Sequence, residues 1–281
     1  VDGVVGIAVR SAKLTPRVLA AATELRGVSR HGVGFDNIDV PSLTERRIPL
    51  MLAIHANAVS VAEHAMYFLL SLAKRGRQYD AAVRNSDFGF RNAPIAIDIA
   101  DKVLTIVGFG RIGTRLARRA LAFDMKVMVF DPYVADDFIE DSGCTPVDDF
   151  RDVLPVTDFL SVHTPLTSLT RHMVAAEELA LMRPGSFVIN CARGGIVDEE
   201  ALMSAIDRNA IAGAGIDVFE IEPPPQGHPF MDSDKIFLSP HSAGVSIEAA
   251  TRMSFETADN LIAVLENRLN PDAVANPIVL R

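Results

Sequence analysis

Val103-Leu104-Thr105-Ile106-Val107-Gly108-Phe109-Gly110-Arg111-Ile112-Gly113, continued by Thr114-Arg115-Leu116-Ala117-Arg118-Arg119-Ala120-Leu121-Ala122-Phe123, decides the fold. Residues 103–107 form an apolar, β-branched run that reads as a buried strand, and the periodicity of Ile112–Phe123 reads as a helix starting where the glycines end. Glycines spaced GxGxxG also serve ordinary turns, so the spacing alone is weak; a strand before it and a helix after it give it meaning. Gly108 then permits the tight turn, Gly110 lets backbone approach a pyrophosphate, and Gly113 allows close helix–strand packing, while the helix N-terminus supplies partial positive charge. Asp131 follows the next strand-like run, Val127–Phe130. An acidic side chain there can accept hydrogen bonds from the adenosine ribose and repels a 2′-phosphate, so the sequence predicts NAD rather than NADP.

Outward from this unit the rhythm is regular. Strand-like runs at Phe159–Val162, Phe187–Ile189 and Ile236–Leu238 alternate with helical patterns at Ala176–Met182 and Glu199–Asp207. Alternation of that kind, with near-continuous apolar strands, predicts a doubly wound parallel sheet whose function sits at the carboxyl ends of the strands. Upstream, Val4–Val9, Pro16–Ala22 (opened by Thr15 as N-cap) and Ile48–Met51 suggest a smaller βαβ set, and Asn85–Pro94 reads as a loop. Val61–Ala73 is apolar on nearly every helical face, as expected of a buried helix bridging two domains, and a long amphipathic helix over Ser246–Asn267, with Ser246 as N-cap, can return the chain to the first domain.

The 281 residues carry 27 Lys+Arg against 36 Asp+Glu, a net charge of −9, which argues against a nucleic-acid partner because such proteins present a basic face to phosphates. With 49% hydrophobic and 22% charged residues the composition is that of a folded globular protein. No apolar run approaches the ~18 residues of a membrane span, and no basic, apolar leader stands at the start, which points to the cytoplasm. The two cysteines, Cys144 and Cys191, have neither disulfide-framework nor metal-ligand spacing, so reduced thiols and no metal are expected.

Three polar residues fall after later strands. Arg193, in Asn190-Cys191-Ala192-Arg193-Gly194-Gly195, carries a permanent fork-shaped charge suited to a carboxylate, although most arginines make surface ion pairs. His241, in Ser239-Pro240-His241-Ser242-Ala243-Gly244, stands out among seven histidines because small residues follow it and because Glu222 lies after another candidate strand; the other six read as surface, packing or supporting groups.

ARGGIVDEEAL, GAGIDVFEIEPP, SPHSAG and VGFGRIG, together with RHGVGFDNID, NAVSVAEHA and the terminal VANP, resemble the D-isomer-specific 2-hydroxyacid dehydrogenases, in particular their 3-phosphoglycerate dehydrogenase-like branch, over essentially the whole chain. The resemblance implies two doubly wound domains: a Rossmann NAD-binding domain over 57–245 and a flavodoxin-like substrate domain over 1–56 and 246–281. It implies that Arg193, Glu222 and His241 are catalytic. Neutral His241 would take the hydroxyl proton as hydride leaves the same carbon, Glu222 would fix its tautomer and favour imidazolium, and Arg193 would hold the substrate carboxylate. Formate dehydrogenases of the same lineage carry Gln at the Glu222 position, so Glu222 points to a hydroxy acid.

Further cofactor contacts implied by the resemblance are Arg111 and Ile112 at the pyrophosphate, and Thr164, Pro165, Cys191 and Asp217 along the adenosine and nicotinamide sides, with Asp217 near the nicotinamide amide. On the substrate side it implies Arg10, Arg30, Val33 and Gly34, and the two arginines suggest a second anionic group. Asn57, Ser60, Glu63 and His64 are expected to cap and pack their helix. The resemblance also implies a homodimer and a further βα unit before residue 1 (the chain opens on Val1 rather than Met); in a departure from longer relatives, no regulatory domain is expected after the terminal VANPIVLR. The substrate expected is a small anionic 2-hydroxy or 2-keto acid, such as 3-phosphoglycerate or glyoxylate/hydroxypyruvate. The competing reading is an NAD-sensing corepressor-like protein with little or no turnover.

Overall fold

A computed structural model describes residues 3–281; Val1 and Asp2, which open the chain, lie outside the described residues. The chain divides into two compact units, residues 1–58 with 245–281 and residues 59–244.

The first unit holds β1 (Gly6–Val9), α1 (Pro16–Ala21), β2 (Gly27–Arg30), α2 (Val40–Glu45) and β3 (Leu50–Leu52). The strands form a three-stranded parallel sheet in the order β1-β2-β3. Thr15 caps α1 by accepting from the Val18 N–H. Leu19, Val28, Leu43, Leu50 and Met51 are fully buried between the layers.

The second unit begins with α3 (Ala58–Lys74), continues through α4 (Gly76–Arg84) and a 3-10 turn at Phe88–Asn92, and then enters the alternating region. There β4 (Val103–Val107), α5 (Gly113–Leu121), β5 (Lys126–Phe130), α6 (Asp136–Asp141), β6 (Thr145–Pro146), α7 (Phe150–Val153), β7 (Phe159–Val162), α8 (Ala176–Leu181), β8 (Phe187–Asn190), α9 (Glu199–Asp207), β9 (Gly213–Ile216) and β10 (Ile236–Leu238) follow in turn. All seven strands run parallel in the order β10-β9-β8-β7-β4-β5-β6. The order reverses between β4 and β7, and that crevice at the carboxyl ends is where such sheets bind ligands. One apolar cluster (Phe68, Ile106, Leu116, Val129, Phe159, Ile189) covers one face and a second (Phe150, Leu160, Val188, Leu202, Ile216, Phe230) the other, which is why the strands read as continuous apolar runs. The chain then returns to the first unit as α10 (Ile247–Leu265), capped by Ser246 through the Ala249 N–H.

Candidate active site

Six loops leave the carboxyl ends of β4, β5, β7, β8, β9 and β10, and the residues expected in the second unit to bind cofactor or carry the chemistry lie on one of them or at the first turn of α5, while Ser60, Glu63 and His64 lie on α3. The loop after β4 is shaped by close approaches. Gly108 has a left-handed φ of 99°, and a Cβ there would stand 2.9 Å from the backbone of His163. A Cβ on Gly113 would stand 2.1 Å from the Gly108 carbonyl oxygen, so only glycine lets α5 start this close to the turn. At Gly110 nothing lies within 4 Å of that position. Ile112 precedes α5 without any side-chain cap, so no side chain satisfies the first N–H groups of that helix. Asp131 reaches this turn directly: its Oδ2 accepts from the Phe109 N–H at 2.7 Å and its Oδ1 from the Tyr133 N–H at 2.9 Å. Each carboxylate oxygen still has a lone pair for a further donor.

His241 and Glu222 come together from two loops. His241 Nδ1 lies 2.7 Å from Glu222 Oε2, and the other carboxylate oxygen of Glu222 accepts from the Phe219 N–H at 3.1 Å. Half-burial pushes the Glu222 pKa up, but the His241 and Phe219 hydrogen bonds and the charges of His241 and Arg193 outweigh it, leaving the carboxyl below its usual range. Arg193 sits in a turn tied by Asn190, whose amide donates to the Arg193 carbonyl at 2.9 Å and accepts from the Ala192 N–H at 3.0 Å. Its own guanidinium donates to the Ala192 carbonyl at 2.6 Å. The next residue, Gly194, presses this turn onto the Glu222 loop: a Cβ there would lie 1.9 Å from the Phe219 carbonyl oxygen.

His241 adopts a left-handed backbone, φ 50°, unusual for a residue with a Cβ. Its N–H donates to the Asp217 carbonyl at 2.8 Å, while the buried Asp217 carboxylate accepts from the Ser242 N–H at 2.8 Å, the Ala243 N–H at 2.9 Å and the Ser239 hydroxyl at 2.5 Å. Asp217, expected beside a nicotinamide amide, therefore has both carboxylate oxygens engaged by the loop that carries His241. Ser239 in turn lies 2.9 Å from Nε2 of His64, so the role expected of His64, packing its own helix, is incomplete. No local motif in the sequence signals that contact, because 175 residues separate the two.

Thr164 and Pro165 follow β7; the Thr164 hydroxyl faces Met173 Sδ at 3.9 Å, and the Pro165 carbonyl accepts from the Thr170 hydroxyl at 2.6 Å. The Cys191 thiol is buried, and burial together with the Asp217 charge raises its pKa well above that of a free thiol, so it stays protonated. Arg111 is exposed, and its carbonyl accepts from the Arg115 guanidinium at 2.6 Å.

Arg10, Arg30, Val33 and Gly34 belong to the first unit. Arg10 is exposed just after β1, and Val33 is also exposed. The Arg30 guanidinium donates to the carbonyls of Gly34 at 2.5 Å and His31 at 2.8 Å, so it folds its own loop. Burial, then the charges of Arg10 and Arg30 against a partly offsetting backbone hydrogen bond, lowers the His31 pKa.

Among the described residues no helix is long and apolar enough to cross a membrane, and no group of three or more His, Cys, Asp or Glu side chains could hold a metal ion.

Residues 66–243 match the family model of the D-isomer specific 2-hydroxyacid dehydrogenase NAD binding domain. A D-3-phosphoglycerate dehydrogenase of Methanocaldococcus jannaschii is 36% identical over 265 residues, covering 94% of this chain and 50% of that protein. A glyoxylate reductase of Korarchaeum cryptofilum is 36% identical over 265 residues, covering 93% of this chain and 80% of its own. The chain thus spans about half the length of the phosphoglycerate dehydrogenases it matches. Among solved structures, the D-lactate dehydrogenase of Aquifex aeolicus complexed with NAD and lactic acid superposes with a TM-score of 0.88 at 29% identity, over 98% of this chain and 87% of that one.

Proposed function

The chain belongs to the D-isomer specific 2-hydroxyacid dehydrogenase family, and on that footing we propose that it is an NAD-dependent oxidoreductase acting at C2 of a small anionic 2-hydroxy or 2-keto acid. The observation that carries this reading is the 2.7 Å contact between His241 Nδ1 and Glu222 Oε2, on the same sheet edge as the Gly108–Gly113 turn.

The turn fits a dinucleotide on its own geometry: open space at Gly110, an α5 start without a side-chain cap, and Asp131 braced beside it with acceptor capacity left. Gly108, Gly110, Arg111, Ile112 and Gly113 would hold the pyrophosphate and Asp131 the ribose, with Thr164, Pro165 and Cys191 lining the remainder and Asp217 shaping it. When bound there, NAD supplies the hydride acceptor of the oxidation and, reduced, the hydride donor of the reverse reaction.

The protein's own residues handle the proton and the carboxylate. Glu222, ionised and facing Nδ1, selects the His241 tautomer with its proton on Nδ1 and leaves the Nε2 lone pair to accept the hydroxyl proton of a 2-hydroxy acid. The imidazolium then formed is stabilised by the same carboxylate, and in reduction it returns the proton to the C2 oxygen. Arg193 binds the substrate carboxylate and polarises the C2 oxygen.

Residues 59–244 would be the NAD-binding domain, and residues 1–58 with 245–281 the substrate domain, with Arg10, Arg30, Val33 and Gly34 on the substrate side. The substrates favoured are 3-phosphoglycerate and glyoxylate/hydroxypyruvate, after the relatives above. A homodimer working in the cytoplasm completes the proposal, supported by the nearly all-apolar α3 with Tyr67 left 54% exposed on it. A single monomeric mass in light scattering would remove the dimer.

The test is a panel of glyoxylate, hydroxypyruvate, pyruvate, phenylpyruvate and phosphohydroxypyruvate with NADH and NADPH, followed by nicotinamide absorbance. Turnover with at least one acid and NADH is expected. Tight NADH binding without turnover across the panel would favour a corepressor-like sensor instead.

A further inference from the structure

Asp217 is an acceptor-only group once ionised, so each contact to its carboxylate must bring a proton: the Ser242 and Ala243 N–H groups and the Ser239 hydroxyl. Ser239 has one hydroxyl proton, and the short contact to Asp217 Oδ1 uses it. Its oxygen can therefore only accept from His64, 2.9 Å away, which fixes the proton of His64 on Nε2. The hydrogen bonds run one way, from His64 Nε2–H to Ser239 O–H to Asp217, and the Asp217 side chain and carbonyl together hold residues 241–243.

His64, where these hydrogen bonds begin, packs against aromatic rings of its own helix. The His64 ring meets Phe68 edge-on with centroids 4.6 Å apart and Tyr67 at 5.5 Å. Phe68, one turn further along α3, sits directly on β9, where a Cβ on Gly215 would come within 2.7 Å of Phe68 Cβ. That glycine sets the register between α3 and β9, and so puts the His64 ring at the strand ends where Asp217 and Ser239 emerge. Burial lowers the His64 pKa, and the nearby Asp217 charge offsets part of that.

We propose that His64 is a positioning residue: acting through Ser239, it fixes the Asp217 carboxylate and thereby the loop that presents His241 to substrate. The proposal rests on the reading of His241 as the proton carrier, but its geometric half can be judged without turnover.

The experiment compares His64→Phe, which keeps a flat ring and removes the donor, with His64→Gln, whose amide N–H can occupy the place of Nε2–H. Two measurements are made on each. Hydrogen exchange of the Ser242 and Ala243 amides in the cofactor-free protein should accelerate about tenfold or more in His64→Phe and stay near wild type in His64→Gln. In turnover, His64→Phe should lower kcat about tenfold with KM for NADH changed less than threefold, and His64→Gln should recover most of the loss. Ser239→Ala, which removes a single oxygen, should reproduce His64→Phe, and the double variant should be no worse than Ser239→Ala alone; this variant also stands in if His64→Phe fails to fold. Unchanged amide exchange in His64→Phe and Ser239→Ala would overturn the relay. Equal losses in Phe and Gln variants would reduce His64 to packing, and lost protection with wild-type kcat would sever the loop from catalysis. Absence of turnover in the wild type with all substrates would sink the enzymatic reading and leave the exchange result to decide the relay.

Discussion

His241 and Glu222 stand 19 residues apart in sequence, yet Nδ1 of one and Oε2 of the other are 2.7 Å apart, because β9 and β10 are adjacent parallel strands whose carboxyl ends release both loops at the same edge. The two side chains remain partly open to solvent, 46% and 37% exposed, so the pair is fixed but reachable. A half-exposed side-chain contact of this kind adds little to folding. Its geometry instead suits it to hold one nitrogen while the other exchanges a proton.

His241→Ala is therefore expected to lower kcat by about 100-fold or more, the scale of a lost general acid–base group. NADH binding, followed by fluorescence titration, should stay within about threefold of wild type, because the Gly108–Gly113 turn does not involve His241. Glu222→Gln keeps an acceptor and removes the charge, so it should lose less than His241→Ala. Turnover retained by His241→Ala would take this residue out of the mechanism.

Asp131 should govern the choice of cofactor. Its carboxylate already receives the Phe109 and Tyr133 N–H groups, which anchors a negative charge where a 2′-phosphate would come. NADH is expected to bind at least about tenfold more tightly than NADPH. Asp131→Ser should narrow that ratio while weakening NADH itself, since the carboxylate oxygen that accepts from the Phe109 N–H is lost too. NADPH binding tighter than NADH in wild type would contradict this account.

What could be read from sequence follows from where the information is local. β4, β7, β10 and α9 are found at the residues expected, since continuous apolar runs or a clear helical period, bounded by caps and turns, define them without tertiary help. β2 carries no such signal and β9 only a weak one, as the candidate strand before Glu222 without bounds: Gly27-Val28-Ser29-Arg30 and Gly213-Ala214-Gly215-Ile216 are strands because they lie between others, and Gly215 is small because Phe68 occupies its face. The short helices α2, α4, α6 and α7 were likewise not evident, and neither was the 3-10 turn at Phe88–Asn92. At the site, the strand-end positions of Arg193 and His241 were legible from their flanking glycines and small residues. The engagement of Asp217 by the His241 loop was not, nor was the use of Arg30 to fold its own loop, because both depend on where distant backbone groups end up.

Two glycines should separate folding from binding. At Gly194 an added methyl would stand 1.9 Å from the Phe219 carbonyl oxygen, so the turn carrying Arg193 and the loop carrying Glu222 must part. Gly194→Ala should cost about 2 kcal/mol or more in urea denaturation and abolish most turnover. At Gly110 the same methyl meets nothing within 4 Å. Gly110→Ala should fold within about 0.5 kcal/mol of wild type but bind NADH about tenfold more weakly, because the methyl projects into the space left for a pyrophosphate. Equal stability losses in both would refute the distinction.

His163 should make the protein sensitive to mild acid. It follows β7 beneath the Gly108 turn, its Nε2 lies 2.8 Å from the Ser161 hydroxyl, and its buried Nδ1 has no partner. Burial lowers its pKa to about 4, against 6.5 for the free side chain. The sign is then fixed: the unfolded chain takes up a proton below about pH 6.5 and the folded one only near pH 4, so the stability present at neutral pH drains away as pH falls across that window. At pH 5 the loss from this group alone comes to about 2 kcal/mol. Urea denaturation of the cofactor-free protein at pH 7.5 and pH 5 should show His163→Gln losing about 2 kcal/mol less between the two than wild type, whatever its stability at pH 7.5. An identical loss in both proteins would mean that His163 is already charged, or equally exposed, in the folded state.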